Sequence, residues 1–184
     1  MADAPYKFFS APQKEGDCLC IPEVSSERRK YITMGFLKNG IIASNKLLIL
    51  PDASIYHFGV LISNVHMAWT RTVCGRLKSD YQYSGAIVYN NFPWPIPTEQ
   101  QKQRIEQTAQ AILDARALYP DSSLADLYDE LTMPPELRKA HQANDRAVMD
   151  AYGFIKGTAA RTSESACVAE LMKLYQQKVS ELEK

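Results

Sequence analysis

Three prolines within five positions interrupt the chain near its middle, in the stretch Asn90-Asn91-Phe92-Pro93-Trp94-Pro95-Ile96-Pro97. Proline fixes φ, removes an amide donor and pushes the preceding residue out of the helical region. No helix runs through such a stretch, and an extended, polyproline-like strap is expected. The sequence character changes across it. This places a boundary between a front domain, residues 1–92, and a rear domain, residues 93–184.

The front domain reads mostly as strand. Short β-branched and aromatic runs occur at Tyr31 to Leu37, Ile41 to Ala43, Lys46 to Leu50, Tyr56 to Ser63 and Ala86 to Tyr89. Turn chemistry at Asn39-Gly40, Ser44-Asn45 and Pro51-Asp52-Ala53 separates several of them, and Asn39-Gly40 has the composition of a hairpin turn. Between Asn64 and Cys74 the spacing turns helical, with Val65, Ala68, Trp69, Thr72 and Val73 on one side and Gly75 placed as a C-terminal stop.

The rear domain reads as helix throughout. Thr98-Glu99-Gln100-Gln101 has the form of a capping box, and Ile105, Ala109, Ile112 and Leu113 then supply a core stripe up to the stop at Pro120. A short helix is expected from Ser122 or Ser123 to about Glu130, and another from Pro134-Pro135 to Tyr152, closed by Gly153. A last helix, about 163–182, carries Val168, Leu171, Met172, Tyr175, Val179 and Leu182. The fold class is therefore α+β: a small mixed or antiparallel sheet domain with a short helix, followed by an all-α segment.

Several functions lack their parts. No run approaches the roughly 18 apolar residues of a membrane span and no apolar signal core follows basic residues, so a cytoplasmic protein with no membrane partner is expected. Cys18, Cys20, Cys74 and Cys167 form no C-x-x-C pair, which points to neither a zinc site nor a disulfide framework. The sequence holds no G-x-G-x-x-G, G-x-x-x-x-G-K-[ST], G-x-S-x-G or H-E-x-x-H. His57, His66 and His141 read as structural, and Asp126, Asp129 and Glu130 as solvated acids near a helix start. Asn90-Asn91-Phe92-Pro93-Trp94 evokes the Asn-Pro-Pro-Tyr loop of amino-methyltransferases, but Phe92 separates the asparagine from the proline, and the stretch reads as a strap. No catalytic, cofactor or metal residue is assigned.

The parts for nucleic-acid recognition are clustered. Overall charge balances, with 21 Lys and Arg against 21 Asp and Glu. Yet residues 21–90 hold eight basic and four acidic side chains, and residues 91–184 eleven basic and fourteen acidic. That asymmetry permits a polyanionic partner for the front half, or an ordinary solvated surface. The segment Ser25-Ser26-Glu27-Arg28-Arg29-Lys30 and the run Arg76-Leu77-Lys78-Ser79-Asp80-Tyr81 interleave hydroxyl, cationic and aromatic side chains, as phosphate anchoring and base-edge contact require. In an extended segment Lys78 and Asp80 share a face. The lysine then donates to guanine while the carboxylate accepts from cytosine, two edges of one G·C pair. A surface ion pair worth under about 1 kcal/mol is the alternative.

These residues also carry a family likeness. Ser25 to Ile32, Tyr56 to Leu61, His66 to Tyr81, Tyr89 to Pro95, and Leu124 to Tyr128 followed by Met133 to Leu137 together resemble the C-terminal part of the MmeI-like restriction-modification enzymes and their adenine-methylating relatives. The resemblance spans about residues 20–153. It implies a target recognition domain and a helical tail of a bacterial protein, with the S-adenosylmethionine-dependent adenine methyltransferase domain elsewhere in the parent chain. No cofactor is then expected in this part. The implied partners are double-stranded DNA and that methyltransferase domain, and the implied DNA-binding residues are Ser25, Ser26, Arg28, Arg29, Arg71, Arg76, Lys78, Asp80 and Tyr81. Two rival readings are a protein–protein interaction module docking through the amphipathic C-terminal helices, and a complete small enzyme of unknown type.

Overall fold

The computed structural model describes residues 15–182, so the outer ends of both expected domains lie outside it. The front half holds two three-stranded antiparallel sheets. In the first, β1 (Cys18–Pro22) lies between β3 (Gly35–Leu37) and β4 (Leu47–Pro51). Residues Cys18 to Ile21 are all buried, so this central strand is a continuous apolar run without the alternation that marks a half-exposed strand. That is why it goes unread in the sequence. Asn39-Gly40 does turn the chain, with Gly40 at φ 85° and the Ile41 amide donating to the Lys38 carbonyl. It makes no hairpin, because no strand follows it directly and β1 separates β3 from the next strand, β4. The expected strand at Tyr31 to Leu37 shortens to β3, and Ile41 to Ala43 lies in no strand. The second sheet has the order β2 (Val24–Ser25), β6 (Asp80–Gln82), β5 (Gly75–Leu77).

Two expected strands are helical. Tyr56 to Ser63 falls largely in α1 (Ile55–Leu61), opened by a capping box in which the Ser54 amide donates to His57 Nδ1 at 3.1 Å. Phe58, Gly59, Val60 and Leu61 are buried in succession, so the helix is enclosed on several sides and its sequence shows no period for an amphipathic reading. Ala86 to Tyr89 belongs to a π-helical turn, Gly85–Tyr89. The Asn91 side-chain amide donates to the Ala86 and Ile87 carbonyls at 2.9 and 3.0 Å, satisfying acceptors that the wide turn frees. The expected helix α2 (Asn64–Val73) is present, capped by Ser63 Oγ accepting from the His66 amide. It ends at an extended Cys74 (φ −73°, ψ 152°), and Gly75 starts β5 instead of making a left-handed stop.

The rear half follows its capping signals. Helix α3 (Glu99–Ala117) opens with Thr98 Oγ1 accepting from the Gln101 amide and Gln101 Oε1 accepting from the Thr98 amide. Helix α4 (Leu124–Leu127) is shorter than expected and opens with a Ser123/Asp126 box. Helix α5 (Pro135–Ala151) ends before Gly153 at φ 72°. A short α6 (Ala159–Thr162), which the sequence does not announce, precedes α7 (Glu164–Leu182). Only the first part of the α7 stripe is buried: Leu171 is enclosed, Val168, Met172 and Tyr175 pack at the core's edge, and Leu182 is exposed.

One hydrophobic core runs across the proline strap, from Leu19 and Trp69 to Ile112, Leu137 and Leu171. Gly59 lets α1 approach α3 closely: a Cβ there would stand 2.7 Å from Ile105 Cγ2 and 2.9 Å from Ala109 Cβ. Asn144 on α5 donates to the Gly59 carbonyl at 2.7 Å and accepts from Thr108 Oγ1 at 3.1 Å. Asp145 accepts from Tyr31 Oη at 2.7 Å and from the Asn64 amide, at the start of α2, at 2.8 Å. The strap is anchored too, with Tyr152 Oη donating to the Pro93 carbonyl and Lys178 Nζ to that of Trp94.

The buried histidines belong to this framework. His66 Nε2 lies 2.9 Å from Tyr83 Oη, while His141 Nε2 lies 2.7 Å from Tyr128 Oη and its ring stacks on Tyr31. Burial disfavours both imidazolium forms, pushing His66 down to about 3 and His141 well below the usual value. Among the described residues no group of His, Cys, Asp or Glu is arranged to hold a metal ion, and no helix is long and apolar enough to cross a membrane.

Candidate nucleic-acid interface

The two clusters read from the sequence, separated by about fifty residues, are neighbours. Strand β2 pairs antiparallel with β6, setting Ser25 opposite Tyr81 and Val24 opposite Gln82. The following turn is tied to the same strand by Asp80 Oδ1, which accepts from the Glu27 amide at 3.2 Å. Within that turn the Arg29 amide donates to the Ser26 carbonyl. Arg28 is exposed, and Ser26 and Arg29 are half-buried.

Strands β5 and β6 form a hairpin whose register, Leu77 opposite Asp80, leaves Lys78-Ser79 as a two-residue turn. Lys78 sits at φ 57°, the left-handed region. Tight hairpin turns need a positive φ to match strand twist, and a non-glycine residue there costs roughly 1 kcal/mol. The expectation of Lys78 and Asp80 as i and i+2 neighbours on an extended strand is thus corrected. The lysine projects from the turn and the aspartate opens the returning strand.

Arg76 sits over the Tyr81 ring, its guanidinium carbon 4.1 Å from the centroid, and its Nη1 donates to the Ser79 carbonyl across the turn at 3.0 Å. Arg76, Leu77, Lys78 and Ser79 are all exposed, whereas Asp80 is half-buried. Two expected contact residues lie beneath this surface. Tyr81 is 4% and Ser25 is 2% exposed, so they support the hairpin from below. Arg71 is also committed: its Nη1 pairs with Glu164 Oε2 at 2.7 Å and its Nε donates to Tyr81 Oη at 3.3 Å.

The sequence reading misses Leu77, an apolar side chain 53% exposed beside the tip, and Glu164, which reaches Arg71 on α2 from the start of α7. An apolar residue between two cations is a usable signal for the first. No local signal marks the second, whose partner lies 93 residues away.

An exposed cationic hairpin on an α+β body, backed by helices, is a surface suited to a duplex groove. Residues 1–96 match the family described as MmeI, target recognition domain, and residues 97–183 match MmeI, C-terminal domain. The chain belongs to the MmeI target recognition family, with that family's C-terminal domain following. It is 39% identical over 177 residues to DNA methyltransferase A of Bacillus subtilis (strain 168), a match covering 96% of this chain and 20% of the relative. It superposes with a TM-score of 0.89 on a chain in the solved structure of the type IIL restriction-modification enzyme MmeI in complex with DNA, at 47% identity, covering 96% of this chain and 23% of that one. The chain thus spans about a fifth of the length of these relatives.

Proposed function

We propose that this chain reads double-stranded DNA for an S-adenosylmethionine-dependent adenine methyltransferase domain of the same restriction-modification protein. The observation that carries this reading is the hairpin tip. Arg76, Lys78 and Ser79 stand exposed, with Asp80 beside them, in a chain that matches a target recognition family over its front half. A protruding two-stranded ribbon fits the major groove, where every base pair presents its own pattern of donors and acceptors.

In this reading Lys78 donates to guanine O6 or N7. Asp80 is held on one oxygen by the Glu27 amide and offers the other to a cytosine amine. Arg28, Arg29 and Arg76 neutralise phosphates, releasing counterions, with Ser26 as a neutral donor beside them. Ser25, Tyr81 and Arg71 act from beneath, by holding the ribbon's shape. Residues 1–92 supply the reading surface, and the helices of 93–184 brace it against the catalytic domain. In this reading S-adenosylmethionine binds that other domain, and no residue here is assigned to it. The protein is expected to work in the bacterial cytoplasm.

Binding of a duplex carrying the parent's target should weaken linearly in the logarithm of salt, by about one unit of slope per phosphate contact, and Arg28→Ala should remove about one such unit. In the intact protein, Lys78→Glu combined with Asp80→Arg should move the sites that become methylated. An unchanged target would remove these two residues from base reading.

A further inference from the structure

We infer that Glu164 and Arg71 are positioning residues for the reading hairpin, through which the C-terminal helix α7 sets the geometry of base contacts it never makes. The DNA part of this inference rests on the function proposed above; the mechanical part does not.

Each guanidinium nitrogen of Arg71 has a protein partner. Nη1 donates to Glu164 Oε2 at 2.7 Å, Nε to Tyr81 Oη at 3.3 Å, and Nη2 to the Lys30 carbonyl at 3.5 Å. A guanidinium is a rigid planar fork, so pinning one nitrogen by a short ionic contact orients the other two. Tyr81, thus held by its hydroxyl, presents its ring as the platform for Arg76. Arg76 in turn closes the turn through the Ser79 carbonyl, beside the left-handed Lys78. The path runs from α7 to α2, from α2 to β6, and from β6 across to β5 and the tip.

The ion pair at its origin contributes geometry more than stability. The Glu164 side chain is 53% exposed and that of Arg71 26%, and pairs at such exposure add little to folding. Arg71 accordingly changes role, from a phosphate contact to a strut with all three nitrogens engaged. Because the pair adds little to folding, removing Glu164 should leave a folded protein in which the hairpin is the region most disturbed.

The test compares wild type, Glu164→Ala and Glu164→Gln in the intact protein, the last keeping an acceptor for Arg71. Hydrogen exchange at Gly75 to Gln82 should quicken several-fold in Glu164→Ala, with the amides of α2 and α5 unchanged, and return toward wild type in Glu164→Gln. Discrimination between the cognate duplex and one altered at a single base pair should fall about tenfold in Glu164→Ala, the share that one misplaced base contact carries, while salt dependence stays the same. A general loss of structure would instead weaken binding to both duplexes alike. Unchanged hairpin exchange overturns the strut whatever the DNA result. Faster exchange with unaltered discrimination overturns the positioning role. A wild-type protein indifferent to DNA sequence overturns the proposed function instead, and the exchange data then decide the strut alone.

Discussion

The hairpin tip and the seam between the two halves solve opposite problems with similar side chains. At the tip, Arg76, Lys78 and Asp80 sit at or near solvent, and the polar contacts of the turn run along the hairpin or to the adjoining loop. At the seam, Asn144 and Asp145 are 0% and 6% exposed, and each bridges elements far apart in sequence. A buried polar group left without its partner carries a full desolvation penalty, whereas an exposed one is simply hydrated. The seam therefore holds the fold and tolerates little change, while the tip can vary its side chains at small cost to stability. In the proposed reading, a surface that distinguishes DNA sequences gains from that freedom.

Gly59→Ala strikes the seam hardest. The added methyl meets Ile105 and Ala109 inside normal contact distance, and α1 and α3 must part. Chemical denaturation should show a loss of about 3 kcal/mol. Asn144→Ala leaves the Gly59 carbonyl without its buried donor, while the Thr108 hydroxyl keeps the Arg104 and Ile105 carbonyls, and the same measurement should give a loss of about 2 kcal/mol.

Acidity separates the buried titrating groups. His66, pushed down to about 3, and His141, also depressed, bind protons more readily in the unfolded chain, so their contribution is present above pH 6.5 and is lost as pH falls below it. Asp145 is raised by burial to about 6, so its contribution is present below pH 3.8 and is lost as pH rises through 6. Between pH 4 and 6 the aspartate acts against the histidines and softens the loss of stability on acidification. Asp145→Asn removes that opposition. The slope of stability against pH in that window should steepen, and an unchanged slope would show that Asp145 does not titrate with the fold.

The smallest effect on folding belongs to the tip. Lys78→Gly relieves the left-handed backbone and should raise stability by up to about 1 kcal/mol, while the proposed base reading by Lys78 predicts that the same variant loses preference at one base pair. A protein destabilised by this change would place the tip among the structural elements and erase the contrast with the seam.

Much of the rear half was legible because its information is local. The boxes at Thr98/Gln101 and Ser123/Asp126, the Pro134-Pro135 start and Gly153 each act within one helical turn, and the helices begin and end at them. The front half was legible in its residues and less so in its shapes. The cationic and aromatic clusters were visible, but Tyr56 to Ser63 and Ala86 to Tyr89 form helical turns where β-branched and aromatic composition suggests strands. A short apolar run surrounded by core carries no period that distinguishes the two.

By itself the sequence determined where α3, α4 and α5 begin, where the chain must run extended, and which segments cluster cationic and aromatic side chains, because each depends on neighbours a few positions away. Only the tertiary structure decided that β1 lies between β3 and β4, that Ser25 to Arg29 adjoin the hairpin, that Tyr81 supports Arg76 from below, and that Glu164 reaches Arg71. Such pairings are selected by burial of apolar surface and by satisfaction of buried polar groups across the whole molecule, and, apart from Arg76 and Tyr81 within one hairpin, no short stretch of sequence contains both partners.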